Sequence, residues 1–475
     1  MQLHDIRARM PRPLRATYRY ACAAVPYAWR HGGAVYRRTL RGLRESERWP
    51  RAALLELQCR ELQRLVRHAA EHVPYYRAQF AALGLDPADV RAPDDLARLP
   101  FLDRATTAAN LERLLADNIP RRRRLYQTTG GTSGRPMPLY ADRRVSLQRD
   151  RAFWDLCLER AGCRVGARLV VLRNDVLPGG RLWDYNPRTR LLSLDPFKLT
   201  PATVRQYADA VIRAGIPFLH TYPSSACMFL TLLRDAGETR RLPFRAILAS
   251  SENIYPGQRA FLEEGFGARL FSWYGHSERL VLACECERSP DYHVFPEYGV
   301  LELVDAQGLT IREPGVRGEL VGTGFNNDVM PLLRYRTGDY AEYAREQACP
   351  CGREHPLITA VAGRWLQEMI VRPDGGLVSM TALNLHSDAF DNVWQFQFRQ
   401  AERGQLDLRV VAKPEYTEAD AARIESELRP KLGPDLALHI ERVSEIARTP
   451  AGKHRFLIQE LAIARPGAGA SAGNA

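Results

Sequence analysis

Residues 128–136 of this chain run Thr-Thr-Gly-Gly-Thr-Ser-Gly-Arg-Pro, inside the longer stretch YQTTGGTSGRPMPLY at 126–140. Threonine and serine hydroxyls with glycine amides can wrap phosphate oxygens without a side-chain cation. Gly130, Gly131 and Gly134 let the backbone turn and approach closely. The spacing and lysine of a Walker loop, GxxxxGK[ST], are absent, so this is a phosphate loop of another kind. In SWYGHSERL at 272–280, Tyr274 can stack on a base, Ser277 can bond a phosphate, and Glu278 can hold Mg²⁺. In PLLRYRTGDYAEY at 331–343, Asp339 follows Thr337-Gly338 at an expected turn, placed to clamp vicinal ribose hydroxyls. Further on, RTPAGKHRF at 448–456 sets Lys453 in a glycine-flanked loop. Only Lys198, Lys413, Lys431 and Lys453 are lysines among the 67 basic residues, which marks Lys453 out. Each segment by itself also fits an ordinary turn or strand end. Phosphate, base, ribose and a cation on a mobile loop together describe a nucleotide site.

These groups need a scaffold, and the patterning implies a mixed α/β one. Residues 50–82 carry apolar positions at helical spacing and predict one or two amphipathic helices. From 165 to 370, short β-rich runs alternate with helical stretches: 167–172, 216–222, 245–250, 268–275 and 318–325. That alternation predicts sheets covered by helices. After about residue 364 the pattern restarts as a compact α+β unit, with strands at 393–400 and 405–414. Its helix at 417–432 opens on a capping-box-like Thr-x-x-Asp. The last residues, ARPGAGASAGNA, are mostly small, alanine and glycine above all, and predict disorder.

Composition narrows the function classes. At 475 residues and 45% hydrophobic, the chain can bury a large core and form several domains. The net charge of +12 comes from 67 basic against 55 acidic residues, and all but four of the basic ones are arginine, a chain-wide bias rather than a local patch. The densest run, RRRR at 121–124, reads as a solvated loop without aromatic interleaving, so no nucleic-acid partner is expected. It also precedes the phosphate-like loop and can raise the local potential for an anion. No segment approaches 18 consecutive apolar residues, so no transmembrane segment is expected. The first 29 residues read as a basic helical arm rather than a cleaved leader. Nine cysteines with Cys-x-Cys pairs and no export signal favour metal binding over disulfides, and a cytoplasmic location.

In order along the chain, TTGGTSGRP, YGHSE, YRTGD, GR and PAGK resemble the adenylate-forming superfamily of acyl- and aryl-CoA ligases. VPYYR at 73–77, LPFLDRATTAAN at 99–110, TYPSS at 221–225 and SSE at 250–252 indicate its phenylacetate–CoA ligase branch, which includes relatives of the capsule-biosynthesis type. The resemblance spans roughly 50–460. It implies a helical arm over 1–82, an ATP- and acyl-binding large domain over 83–362, a small mobile C-terminal domain over 363–464, and a tail at 465–475. It implies ATP, Mg²⁺ and, as acceptor, CoA: carboxylate attack on the α-phosphate, release of pyrophosphate, then displacement of AMP. Thr128, Thr129, Gly130, Gly131, Thr132, Ser133 and Gly134 would hold the leaving phosphates. Ser251, Glu252, Tyr274 and Gly275 would hold the adenine, Asp339 the ribose, Ser277 the α-phosphate and Glu278 the Mg²⁺. Lys453 would stabilise charge during adenylation, and the small domain would turn about Arg364. Arg135 stands where the family loop usually has lysine, Ser277 where it has threonine, and WLQE follows Gly363-Arg364 where an acidic hinge residue is common.

CECERSPDYH at 284–293 and CPCGREHP at 349–356 predict a structural Zn²⁺ held by Cys286, His293, Cys349 and Cys351, with Cys284 and His355 as competing ligands. Phe153, Trp154, Tyr222, Trp273 and His276 are the candidate acyl-pocket lining and suggest an aromatic acid. Two other readings stand beside CoA ligation: a ligase making an amide or ester directly from the adenylate, and a non-catalytic nucleotide-binding protein. Oligomeric state is open, as is peripheral membrane contact through the basic arm.

Overall fold

The computed structural model describes residues 33–128, 137–173, 175–252, 254, 257–362, 369–383, 388–447 and 457–461. It opens on three helices, α1 (Ala34–Ser46), α2 (Arg51–His72) and α3 (Pro74–Leu83). The helical spacing read at 50–82 thus becomes a helix pair. Pro74 sits in the first turn of α3, where its missing N–H costs nothing. Leu62, Leu65, Val66 and Ala69 of α2 join the core that also holds Leu303, Leu320 and Ala341. Within the described residues, α2 is therefore packed against the sheet, while residues 1–32 of the expected arm lie outside them.

A short α4 (Arg104–Ala109) precedes a hairpin of β1 (Arg124–Thr128) and β2 (Pro138–Asp142). Thr128 pairs with Pro138, so the glycine-threonine loop joins these two strands; residues 129–136 lie outside the described residues. The arginine run before it is not uniformly solvated, as was expected. Arg123 pairs with the buried Asp142, and Arg124 donates to the carbonyls of Ile119 (3.0 Å) and Ala116 (2.8 Å). A buried carboxylate and unpaired carbonyls capture the last two guanidiniums, while Arg121 and Arg122 stay exposed.

After α5 (Ser146–Arg160) come β3 (Leu169–Leu172), β4 (Trp183–Asn186), β5 (Leu191–Leu194), α6 (Val204–Ala214), β6 (Phe218–Thr221), α7 (Pro223–Asp235), β7 (Ala246–Ser250), α8 (Gln258–Phe266) and β8 (Arg269–Gly275). These strands lie in the order β8-β7-β6-β3-β5-β4, parallel except for the edge strand β4. Every residue of β3 and β7 is buried, as a parallel sheet covered on both faces requires. Gly215 and Gly267, at φ 57° and 60°, end α6 and α8 in the left-handed conformation.

Beyond β8 the sheet turns antiparallel. It continues through β9 (Leu282–Cys284), β10 (Tyr292–Val294), β11 (Gly299–Val304), β12 (Thr310–Ile311), β13 (Arg317–Gly324), β14 (Tyr335–Tyr343) and β15 (Leu357–Ala362). The order β12-β11-β13-β14-β15-β10-β9-β8 completes a sheet of 13 strands among the described residues.

The C-terminal unit has a hairpin, β16 (Met369–Val371) with β17 (Leu377–Ser379), and a four-stranded sheet ordered β20-β19-β18-β21. The latter comprises β18 (Val393–Gln400), β19 (Gln405–Ala412), β20 (Ala437–Arg442) and β21 (Leu457–Gln459), covered by α9 (Glu418–Leu432). The Asp420 carboxylate accepts from the Thr417 amide (2.8 Å) and hydroxyl (2.9 Å), which is the capping box read from the sequence. Ile424, Leu428 and Leu432 pack with Phe396, Phe398 and Leu408. The same cluster includes Phe197 and Tyr222, and Arg372 donates to the Phe197 carbonyl at 3.2 Å. The Gly-Arg element at 363–364, Lys453 and the tail at 465–475 lie outside the described residues.

Candidate functional site

The carboxyl ends of β3, β6, β7 and β8 lie side by side at one edge of the parallel half-sheet, where open α/β sheets bind ligands. β8 delivers Tyr274 and Gly275 there, and β14 delivers Asp339 from the antiparallel half. The Tyr274 hydroxyl donates to Asp339 Oδ2 at 3.0 Å, so two segments 65 residues apart meet in one hydrogen bond. Burial first, and then the Asp339 charge, push the Tyr274 hydroxyl well above its usual pKa, so it remains a donor. Asp339 is not in a turn, as its Thr-Gly prefix suggested. It lies within β14, between register shifts on both sides. Gly338 takes φ 73° and donates to Glu319 Oε1 (3.2 Å), and Thr337 Oγ1 donates to the Leu320 carbonyl (2.7 Å). This irregularity re-aims the Asp339 side chain, a common use of a bulge beside a site.

The loop after β8 carries His276, Ser277 and Glu278. His276 is buried against Tyr274 (ring centroids 5.6 Å), with Nδ1 at 3.8 Å from Glu278 Oε2. Burial depresses its pKa to about 4, so the ring is neutral at pH 7. Glu278 is largely buried and Ser277 is exposed. The loop is held by Arg279, a residue the motif search passed over. Arg279 Nε donates to Asp150 Oδ2 (3.0 Å), and its Nη1 donates to Gln127 Oε1 (2.9 Å) and to the Ser277 carbonyl (3.2 Å). Tyr298 donates to the other Asp150 oxygen at 2.6 Å. Arg279 therefore fixes the Glu278 loop to β1 next to Thr128, the last described residue before the phosphate-like loop. Its own φ is 58°, strain that these bonds hold in place.

The expected acyl lining divides. Trp154 and Trp273 face each other (6.4 Å, edge to face), and His220 lies 5.9 Å and 5.6 Å from them. Phe153 is core instead, 2% exposed and packed on Phe295 and Tyr298. Tyr222 is 3% exposed within the cluster shared with the C-terminal unit, and its ring carries the Arg173 guanidinium at 4.4 Å. Helical periodicity on α5 and docking of the second unit claim these two rings. Ser251, exposed and at φ 67°, and the buried Glu252 follow β7 on the same edge.

A second constellation lies where β9, β10 and β15 meet. Register sets His293 beside Cys284 and Leu357. Cys286, His293, Cys349 and Cys351 are all buried, with one donor atom from each lying within 4.8 Å of the other three. Cys286 Sγ to Cys349 Sγ is 3.5 Å, and Cys351 Sγ to His293 Nε2 is 3.6 Å. Tetrahedral Zn²⁺ with bonds near ~2.3 Å to sulfur and ~2.0 Å to nitrogen spaces its ligands by roughly 3.5–3.8 Å. Three thiols and an imidazole at these separations fit it. The two competitors stand outside the group of four. Cys284 Sγ accepts from Arg160 Nη1 at 3.2 Å, and the His355 ring packs edge-to-face on Phe295 (5.6 Å) and on His293 itself (6.0 Å).

Residues 370–460 match the CapK C-terminal domain family. Phenylacetate-coenzyme A ligase of Thermus thermophilus is 27% identical over 337 residues, covering 69% of this chain and 74% of that protein. Protein CapK of Staphylococcus aureus is 21% identical over 421 residues, 86% of this chain and 90% of CapK. This chain thus has phenylacetate-coenzyme A ligases and CapK among its relatives. Its fold is that of 2-hydroxyisobutyryl-CoA ligase, solved with 2-HIB-AMP and CoA: TM-score 0.56, 19% identity, covering 88% of this chain and 92% of that one. Within this fold, the sequence motifs 272–280 and 331–343 converge through Tyr274 and Asp339. Arg173, His220, Asp150 and Arg279 were not found in the sequence: they are polar residues on separate elements, directly after β3, in β6, in α5 and in the loop after β8, and only the fold brings them to the site. The Arg directly after YGHSE was the one usable signal.

Proposed function

We propose that this protein is an AMP-forming carboxylate–CoA ligase, with an aromatic or other organic acid as substrate. The observation that carries the reading is the Tyr274–Asp339 bond, which assembles the expected base and ribose contacts at the edge where the superfamily motifs meet. In the first half-reaction, a carboxylate oxygen bonds to the α-phosphorus of ATP, and the bond to the bridging oxygen breaks to release pyrophosphate. Asp339 would accept from the ribose hydroxyls, Tyr274 and the 250–252 turn would flank the adenine, and Ser277 would donate to the α-phosphate. Glu278, fixed through the Arg279 bonds, would hold Mg²⁺, which supplies charge neutralisation on the phosphates. Thr128 leads into the loop at 129–134 that would hold the leaving phosphates. Lys453 would reach in from the C-terminal domain, which turns about Arg364 between half-reactions. In the second, the CoA thiol sulfur bonds to the acyl carbon and AMP leaves. Such catalysis is mostly positioning and electrostatic stabilisation. Cys286, His293, Cys349 and Cys351 would hold Zn²⁺ as a structural staple, since four protein ligands leave no open position. A cytoplasmic setting suits both ATP and reduced thiols.

The test is ATP–pyrophosphate exchange across aryl, fatty and amino acids, with Lys453→Ala as control, followed by CoA consumption. Acid-dependent exchange lost in the variant, with CoA consumed, is expected. Exchange that proceeds to an amide without CoA would point to direct ligation. ATP binding without exchange for any acid would overturn the reading.

A further inference from the structure

Arg173 follows β3 directly, on the edge just described, and all its partners are neutral. Nη1 donates to His220 Nε2 at 2.9 Å, Nη2 donates to Ser251 Oγ at 3.0 Å, and the Tyr222 ring lies beneath at 4.4 Å. Its buried Nε has no hydrogen-bond partner. No described carboxylate stands within ion-pair distance of it. The nearby Arg151, stacked on Trp154 at 4.3 Å, shows the usual arrangement, with Asp155 paired to it at 2.9 Å. Arg151 Nε likewise lacks a hydrogen-bond partner, so what distinguishes Arg173 is the lack of an ion-pair carboxylate among the described residues, which leaves a desolvation cost standing. An anionic ligand would remove it.

The surroundings define that ligand further. Burial, then the charges of Arg173 and Arg151, keep His220 neutral, so its Nε2 serves Arg173 as an acceptor and adds no second cation. The rings of Trp154, Trp273 and His220 supply an apolar wall beside the guanidinium. Ser251 is exposed and Arg173 partly so, which leaves the cluster open on the side of the 250–252 turn. The chemistry is therefore an apolar body that ends in anionic oxygens, next to the place where the acid would be adenylated.

We propose that the acid activated by this protein carries a second anionic group, and that Arg173 binds it as the specificity-determining residue. This rests on the ligase reading above. Dicarboxylic acids with an aryl or short aliphatic body are the class indicated; a sulfonate or phosphate offers the same oxygens.

The experiment uses matched pairs: benzoate and isophthalate, phenylacetate and 4-carboxyphenylacetate, hexanoate and adipate. For the full-length protein, kcat/KM in ATP–pyrophosphate exchange should favour the diacid of at least one pair by about tenfold or more, the scale of one charge-assisted hydrogen bond. Arg173→Met should lower that ratio by about tenfold or more, and Arg173→Lys by less. Equal or better exchange with every monoacid, or a ratio unchanged in Arg173→Met, overturns the proposal. So does a rise in KM for ATP with the ratio untouched, which would put Arg173 on the nucleotide. Calorimetric binding of the same acids with a non-hydrolysable ATP analogue separates the two levels. Diacid binding that weakens in Arg173→Met, without exchange by any acid, supports the anion site and sinks the ligase reading. Exchange with monoacids and no gain from the second carboxylate does the reverse, and absence of diacid binding sinks the anion site outright.

Discussion

Replacing Tyr274 by phenylalanine removes one hydroxyl and leaves the ring. In the structure that hydroxyl donates to Asp339 at 3.0 Å, in a partly buried setting where the acceptor carries the charge. Hydrogen bonds to charged groups contribute about 1.5–3 kcal/mol. At ~1.36 kcal/mol per factor of ten, losing this bond should lower kcat/KM for ATP roughly 10- to 150-fold. Ring stacking on adenine survives in the phenylalanine variant, so the loss should appear in KM for ATP more than in kcat. Asp339→Asn weakens both the bond and the ribose clamp and should cost more. A double-mutant cycle then isolates the shared term. If Asp339 is oriented by Tyr274, the double variant loses the bond only once, and the coupling energy should be about 1.5–3 kcal/mol. The assay is pyrophosphate exchange at varied ATP with saturating acid, alongside thermal unfolding to exclude a folding defect. Additivity within about 0.5 kcal/mol, or wild-type ATP kinetics in Tyr274→Phe, would refute the assignment of these two residues to one nucleotide contact.

Three further outcomes are expected. The purified protein should contain about one zinc per chain by elemental analysis; Cys286→Ser should lose it and lower Tm by roughly 10 °C, at 2–4 °C per kcal/mol, whereas Cys284→Ser should keep it. Full metal in Cys286→Ser, or none in the wild type, would remove the staple. Arg279→Met removes the cationic partner of Asp150 and leaves it the Tyr298 hydroxyl, on a side chain about a third exposed. A loss of about 1–3 kcal/mol in denaturant unfolding should accompany a fall in exchange rate, and an unchanged rate would mean the Glu278 loop needs no anchor. His220 has a folded-state pKa held well below 6.5, so the unfolded chain binds the extra proton as pH drops. Stability should therefore be fully present above pH 6.5 and be lost as pH falls below it, and His220→Gln should flatten that slope; an identical pH profile in the variant would show that another group titrates.

Local chemistry was legible in the sequence because it depends on neighbours along the chain. The Thr-x-x-Asp cap of α9, the strands within the runs at 167–172 and 245–250 and the α2–α3 pair follow from spacing and residue type, while the ordered motifs were legible as a resemblance. The Cys and His donors were also legible, but the sequence could not choose between Cys284 and Cys286, two residues apart in one motif. Strand pairing decides that, since His293 faces Cys284 in register, yet the Cys284 sulfur accepts from Arg160 while Cys286 reaches Cys349. The fates of Phe153 and Tyr222 were likewise set by what packs on them, α5's core face and the docked C-terminal unit. Asp339 read as a turn residue because the bulge that re-aims it depends on β13 and β15 as partners. Arg173, unremarkable in VVLRND, becomes distinctive only when β6 and β7 bring neutral His220 and Ser251 to it, with no ion-pair carboxylate among the described residues. Sequence fixes which groups are available, because covalent order carries the motifs. Which groups meet, and which charges stay unanswered, is settled by contacts between distant segments that only the folded sheet creates.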